Sequence, residues 1–276
     1  SSMVPTYLVS ETVRSQCTVA LGGDGGDELF GGYREYTRLD WLQRRMGKCP
    51  RLFRQALASI AKYGLEPGVK GRNWLIAQGI DFDRELPLIA NYFEPKYRRK
   101  LLPHVNLPMS AESIFSSRVV HGNQIIDRAT RTDFKNYLPE DLLVKVDRSS
   151  MLKSLEVRSP FLDVRVIDFA FGRVPISLKA GIHGRKLLLK RVASRLLPQG
   201  FDLNRKQGFS IPINTWLTDG AWRGFFREVL LDTGCMFHGK SVERIMRGLD
   251  RGRNNGERIF SLLMMELWRK EYGVHF

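Results

Sequence analysis

Residues 17–33 constrain this chain more than any other stretch. Residues 17–21 (CTVAL) form a short apolar, β-rich run that empties into Gly22-Gly23-Asp24-Gly25-Gly26-Asp27-Glu28-Leu29-Phe30-Gly31-Gly32-Tyr33. An apolar run ending on glycines reads as a buried strand feeding a loop. Ahead of it, Pro5 suits the first turn of a helix, and Leu8, Val9, Thr12 and Val13 keep helical spacing, so a helix is predicted over 5–16. Helix, strand, glycine-rich loop and helix in that order belong to an α/β unit. No second strand of comparable quality follows, whereas helical patterns recur at 34–46, 50–63, 72–79, 84–92, 110–115, 121–136, 139–153, 185–197, 242–249 and 257–272. In the last of these, Ile259, Phe260, Leu263, Leu267 and Trp268 share one face. The expected fold class is therefore α/β, mostly helical, without an internal repeat or a low-complexity linker to mark a domain boundary.

The loop itself carries chemistry. Six glycines within residues 22–32 let the backbone approach a ligand closely, Asp24, Asp27 and Glu28 can hold a cation, and the loop delivers its amides to a helix N-terminus. That combination points to a nucleotide–metal site. The plainer alternative is a tight turn in which Asp27 and Glu28 only favour the helix start, but such a turn needs one carboxylate and fewer glycines. Residues 22–30 also satisfy the calcium nonapeptide pattern, which works by stacking successive copies and occurs here once. The loop has neither the dinucleotide-binding glycine spacing nor the Gly-Lys-Ser/Thr of a Walker loop.

Two further clusters follow. Residues 138–163 read LPEDLLVKVDRSSMLKSLEVRSPFLD: Pro139, Glu140 and Asp141 start a helix, Asp141 and Lys145 stand one turn apart, and Asp147, Arg148, Glu156, Arg158 and Asp163 alternate in sign among apolar residues. Buried groups of this kind must pair, so the segment is expected to be either an internal ion-pair network or a substrate-binding site. Residues 204–213 (NRKQGFSIPI) form a Gly- and Pro-punctuated loop with adjacent cations, of which Lys206 could meet a polyphosphate as a point charge; a solvated basic loop is the alternative. The five histidines show no metal-ligand spacing.

Composition sets the surroundings. With 44 Lys and Arg against 29 Asp and Glu, the chain carries a formal charge of +15 at pH 7, which favours anionic partners. A nucleic-acid binder is one such reading, but the basic residues are scattered and no recognition motif appears. Cys17, Cys49 and Cys235 form no close pair or Cys-x-x-Cys frame, which suggests a reducing compartment. No apolar stretch approaches the ~20 residues of a membrane span, and a cytoplasmic location is expected.

The three clusters, in this order, resemble the C-terminal synthetase domain of the glutamine-hydrolysing asparagine synthase family. The resemblance rests on residues 18–33, 138–163, 185–217 and 260–272, about a third of the chain. It implies an adenine-nucleotide alpha-hydrolase-like (ATP pyrophosphatase) fold with a short parallel-sheet remnant, over a domain spanning 1–276. In that family ATP activates the side-chain carboxylate of aspartate as an acyl-adenylate, and ammonia, released from glutamine by an N-terminal glutaminase domain, then displaces AMP. The family's Ser-Gly-Gly-x-Asp-Ser phosphate loop precedes the matched region, so the domain is expected to be incomplete at its N-terminus and, by itself, inactive. By the resemblance, Asp27 is the Mg²⁺ ligand, Asp24 handles the proton of the attacking ammonia, and Lys206 neutralises the α-phosphate and the departing pyrophosphate. The implied ATP and pyrophosphate contacts are Gly22, Gly23, Asp24, Gly25, Asp27 and Lys206. Gly22 departs from the family, where Ser is usual. Relatives of this architecture also make other amide bonds, so a sugar or peptide carboxylate is the sibling alternative, and a homodimer stays open.

Overall fold

The computed structural model describes residues 2–87, 92–105, 110–122, 124–204, 208, 211–218, 220 and 222–275. Its N-terminal part runs α1 (Met3–Arg14), β1 (Val19–Leu21), α2 (Gly26–Phe30), α3 (Arg34–Met46), α4 (Arg51–Gly64), α5 (Arg72–Ala77), α6 (Pro95–Leu101), α7 (Ala111–Arg118) and α8 (Ile125–Lys135). A π-helical turn, Leu138–Leu143, leads into α9 (Val144–Met151), followed by β2 (Glu156–Arg158), α10 (Val164–Gly172), α11 (Ile176–Lys179), β3 (Ala180–Gly181), β4 (Gly184–Arg185) and α12 (Leu187–Leu196). The chain closes with α13 (Ile213–Thr218), α14 (Trp222–Leu230), α15 (Gly239–Asp250) and α16 (Gly256–Glu271).

The protein is mostly helical, with a short parallel sheet, as the α/β reading requires. The second strand that sequence patterning did not show is β2, which pairs parallel with β1 in the register Val19↔Glu156, Ala20↔Val157 and Leu21↔Arg158. Its three residues offer a single apolar side chain, Val157, so no strand pattern stands out. β1 itself is not buried: Val19 is 39% and Leu21 76% exposed. Among the described residues β1 has β2 on one side only, and a strand with one neighbour keeps an open edge.

The predicted helix over 84–92 does not form in its described residues. Asp81 to Arg84 make a turn, and residues 85–87 are irregular; residues 88–91 lie outside the described set. Pro87 accounts for this, because it lacks an N–H and pushes Leu86 out of helical geometry. The helix begins instead at Pro95, in the N-terminal position that proline tolerates. The expected helix over 139–153 is likewise divided, its first part widened to π geometry.

Three apolar cores hold the elements. One lies among α13 to α16 and includes Leu217, Phe226, Leu230, Val242, Ile259 and Leu263. Trp268, expected on the buried face of α16, is 46% exposed. A second joins α3, α5 and α8 through Tyr36, Leu39, Ala77 and Ile125. The third packs Leu29 and Phe30 of α2 against Ala170 and Val174, with Phe161 meeting Phe30 edge-on at 5.8 Å between ring centres. This last core fixes the glycine-rich loop on the body of the protein. The three cysteines are free, and among the described residues no helix is long and apolar enough to cross a membrane.

Candidate nucleotide site on the glycine-rich loop

The loop leaves β1 by continuing its pairing: Gly22 N–H donates to Arg158 O at 2.7 Å. A Cβ at position 22 would stand 2.9 Å from Asp24 Oδ2 and 3.0 Å from Val157 Cγ1, so any side chain there would press on the candidate base. The Ser159 hydroxyl approaches from the end of β2 and donates to Asp24 Oδ2 at 3.4 Å. Gly25, at φ +86°, precedes α2, and Gly31, at φ +70°, ends it; both lie in the left-handed region that favours glycine. The N-cap is thus a residue without a side chain, and the two acidic residues of the first turn reach elsewhere.

Asp27 Oδ1 meets Lys186 Nζ at 2.6 Å. The pair closes over Gly32, where a Cβ would fall 1.7 Å from Asp27 Oδ1 and 2.4 Å from Lys186 Cε. Lys186 itself holds a left-handed conformation at φ 52° between β4 and α12, and Arg185 Nη1 donates to Gly32 O at 3.0 Å. The β4–α12 junction is therefore clamped onto the end of the loop. Sequence patterning missed this pair because Lys186 sat within a predicted helix over 185–197.

Glu28, 1% exposed, accepts a hydrogen bond from Tyr33 OH at 2.5 Å, and burial raises the carboxyl above its ordinary range. One turn further, Tyr36 OH donates to Asp133 Oδ2 at 2.7 Å. Tyr33 stands 5.5 Å from Tyr36 and 6.0 Å from Tyr137 between ring centres. These tyrosines, with Asp133, Glu140 and Asp141, line a cavity of about 730 Å³. The cavity is acidic, and its carboxylates suit a cationic group.

Burial pushes the Asp133 carboxyl up to about 6 from its ordinary 3.8. A carboxyl whose folded value lies above its unfolded one contributes stability below pH 3.8 that is lost as pH rises through 6. Between pH 4 and pH 7 the protein is expected to lose roughly 1–2 kcal/mol relative to Asp133→Asn, after allowing for the partial exposure of the group. Urea unfolding of both proteins across that range checks this; a difference independent of pH would place the titration elsewhere.

The structure brings Gly22, Gly23, Asp24, Gly25 and Asp27 together on one loop, and it places residues of the second cluster beside them. Asp141 lines the acidic cavity. Glu156 and Arg158 lie on β2 and pair at 2.8 Å, both well exposed. Of the two expectations for this cluster, the internal ion-pair network is not seen among the described residues: Asp147 and Arg148 are exposed, and no ion pair joins Asp141, Lys145, Asp147 or Arg148 to a partner. Their alternation of sign follows the surface of α9, where such charges stay hydrated. Lys206 lies outside the described residues. Asn204, which is described, accepts a hydrogen bond from Lys190 of α12 at 2.8 Å. Among the described residues no three His, Cys, Asp or Glu side chains converge as a metal cage.

Comparison with known proteins gives this loop its context. The sequence profile of the family described as Asparagine synthase matches residues 1–270. Asparagine synthetase [glutamine-hydrolyzing] 1 of Bacillus subtilis (strain 168) is 27% identical over 271 residues, which cover 96% of this chain and 42% of that protein. A putative asparagine synthetase [glutamine-hydrolyzing] of Mycobacterium bovis is 28% identical over 287 residues, covering 99% and 42%. Putative asparagine synthetase [glutamine-hydrolyzing] 2 of Methanocaldococcus jannaschii reaches 51% identity, over 43 residues and 14% of this chain. The chain thus spans well under half the length of the first two relatives. No solved structure gives a significant match. With the profile running over nearly all of its residues, the chain belongs to the asparagine synthase family.

Proposed function

We propose that this chain is synthetase machinery of an ATP-dependent amide ligase, acting on the side-chain carboxylate of aspartate. The carboxylate attacks the α-phosphorus of ATP, releasing pyrophosphate and forming an acyl-adenylate. Ammonia, supplied from glutamine by a glutaminase domain, then attacks the acyl carbon, and AMP leaves as asparagine forms. The observation that carries this reading is the loop 22–32, held at the end of a parallel strand with Asp24 and Asp27 both oriented by partners from later in the chain.

Each residue has a distinct task. The backbone of Gly22, Gly23 and Gly25 gives phosphates close access to the loop. Asp24, steadied by Ser159, accepts a proton from the attacking ammonia. Asp27 offers one carboxylate to Mg²⁺, and a single protein carboxylate fits a cation that usually keeps water and substrate phosphates as its other ligands. Mg²⁺ bound there would neutralise charge on the pyrophosphate. Lys186, paired with Asp27 over Gly32, holds that carboxylate in place, and Lys206 supplies charge to the α-phosphate. The acidic cavity beside Tyr33 is where an ammonium group would be stabilised, whether that of aspartate or the incoming nitrogen.

The test is release of pyrophosphate from ATP by the complete natural protein, with aspartate and either glutamine or ammonium as co-substrates. Dependence on aspartate supports the reading; dependence on a sugar or peptide carboxylate instead would replace the substrate but keep the chemistry. Asp27→Asn is expected to slow pyrophosphate release by about tenfold and flatten its Mg²⁺ dependence, leaving glutamine hydrolysis nearly intact. Unchanged Mg²⁺ dependence would return Asp27 to a purely structural role at the start of α2.

A further inference from the structure

A second cavity, of about 390 Å³, lies between α6, α15 and the start of α16 and shares no lining residue with the glycine-rich loop or the acidic cavity beside it. Its walls combine opposite chemistries. Phe93, Tyr97, Leu101 and Ile245 give an apolar and aromatic side, whereas Lys100, Lys240, Arg244, Arg253 and Arg258 face it with positive charge. Glu66 is the one acidic residue in the lining.

Within the lining, five cations face one carboxylate. Glu66 already serves two guanidinium groups, pairing with Arg244 and standing 4.0 Å from Arg253. Lys100 and Lys240 are exposed at the mouth and form no ion pair among the described residues. The deepest cation is Arg258, only 8% exposed. Its Nε donates to Tyr92 O at 2.8 Å and its Nη1 to Asn254 O at 2.9 Å, while its Nη2 has no hydrogen-bond partner among the described residues. Behind it, Arg72 is engaged with Leu65 O, Lys62 O and the carboxylate of Glu94, so its charge beside Arg258 is already paired. Arg258 Nη2 is not sealed from solvent, so it keeps a donor available to an anion that enters the cavity.

We propose that this cavity binds a phosphate ester carried on a flat apolar group. Several cations around one space favour a dianion over a monoanion; Arg258 Nη2 supplies a directed contact and the two lysines supply point charges. The aromatic wall takes the organic part, which inorganic phosphate lacks.

Calorimetric titration of the full 276-residue chain with phenyl phosphate tests this, with inorganic phosphate, phenol and benzoate as comparators. Phenyl phosphate is expected to bind at one site, at least about tenfold tighter than each comparator. The double variant Lys100→Glu with Lys240→Glu changes only exposed side chains and should weaken binding by at least about tenfold at an unchanged melting temperature. Arg45→Glu with Arg191→Glu, an equal charge change at exposed positions outside the cavity, should leave binding intact. Equal binding of inorganic phosphate would overturn the apolar half of the proposal, and tighter binding of benzoate would overturn the phosphate half. No binding of phenyl phosphate, or equal loss in both double variants, would overturn the site as a whole.

Discussion

Gly25→Ala is expected to destabilise the chain by about 2–4 kcal/mol, read as a lower urea midpoint at an unchanged slope, because two separate penalties meet at that position. The backbone at Gly25 has φ +86°, and an L side chain in this region adds strain on the order of 1–2 kcal/mol. The added Cβ would also stand 2.4 Å from Leu162 Cδ2 and 3.3 Å from Leu162 Cγ, an overlap that requires the half-buried Leu162 side chain to shift. Crowding of that kind typically costs about 1–3 kcal/mol. Gly23→Ala is the matched control: two residues earlier on the same loop, a Cβ there meets nothing within 4 Å. Its effect should stay within about 0.5 kcal/mol. Equal midpoints for the two variants would mean that the loop adapts freely, and the rigid cradle argued for ATP would fail with it.

How much of this was legible beforehand depends on which signal each element left in the sequence. The glycine-rich loop announced itself because its composition is unusual and local. α3, α4, α15 and α16 were legible because their apolar positions keep a helical period. β2 was not, since Glu156-Val157-Arg158 carries one apolar residue, and its partner lies in a distant part of the chain. The burial expected of β1 failed for a related reason. Apolar composition reports what a strand can bury, but exposure is decided by how many neighbours cover it, and β1 has one among the described residues.

The site shows the same limit. Asp24 and Asp27 were named from the sequence, yet the groups that orient them, Ser159 and Lys186, come from segments read as something else. The second cluster was expected to form either an internal ion-pair network or a substrate-binding site, because its charges alternate among apolar residues. That pattern is also what an exposed helix such as α9 presents, and only packing distinguishes the two. Spacing in the sequence could not show that Glu28 turns inward to Tyr33, or that Asp133 sits deep enough to titrate near 6. Both depend on tertiary packing around the acidic cavity, which is built by four segments that converge only in the folded chain.

Lys206→Ala is the substitution expected to affect activity most, slowing pyrophosphate release in the complete natural protein by about 10²–10³ if the lysine supplies one preorganised charge to the transition state. Its proposed target, the α-phosphate, gains negative charge as the aspartate carboxylate attacks, and the departing pyrophosphate carries more. A cation positioned there stabilises the transition state more than the ground state, so the loss should appear in kcat rather than in KM. Removing the side chain should leave folding intact, because a lysine on a Gly- and Pro-punctuated loop adds little to a core. Lys206→Arg should recover part of the rate, since charge is kept while reach and geometry change. Lys190→Ala separates position from charge: loosening the segment should slow the reaction less than Lys206→Ala and should not be rescued by adding positive charge elsewhere. A fall in melting temperature that parallels the fall in rate for Lys206→Ala would make the lysine structural. An unchanged rate would remove it from the site and leave Lys186, already on Asp27, as the cation to test next.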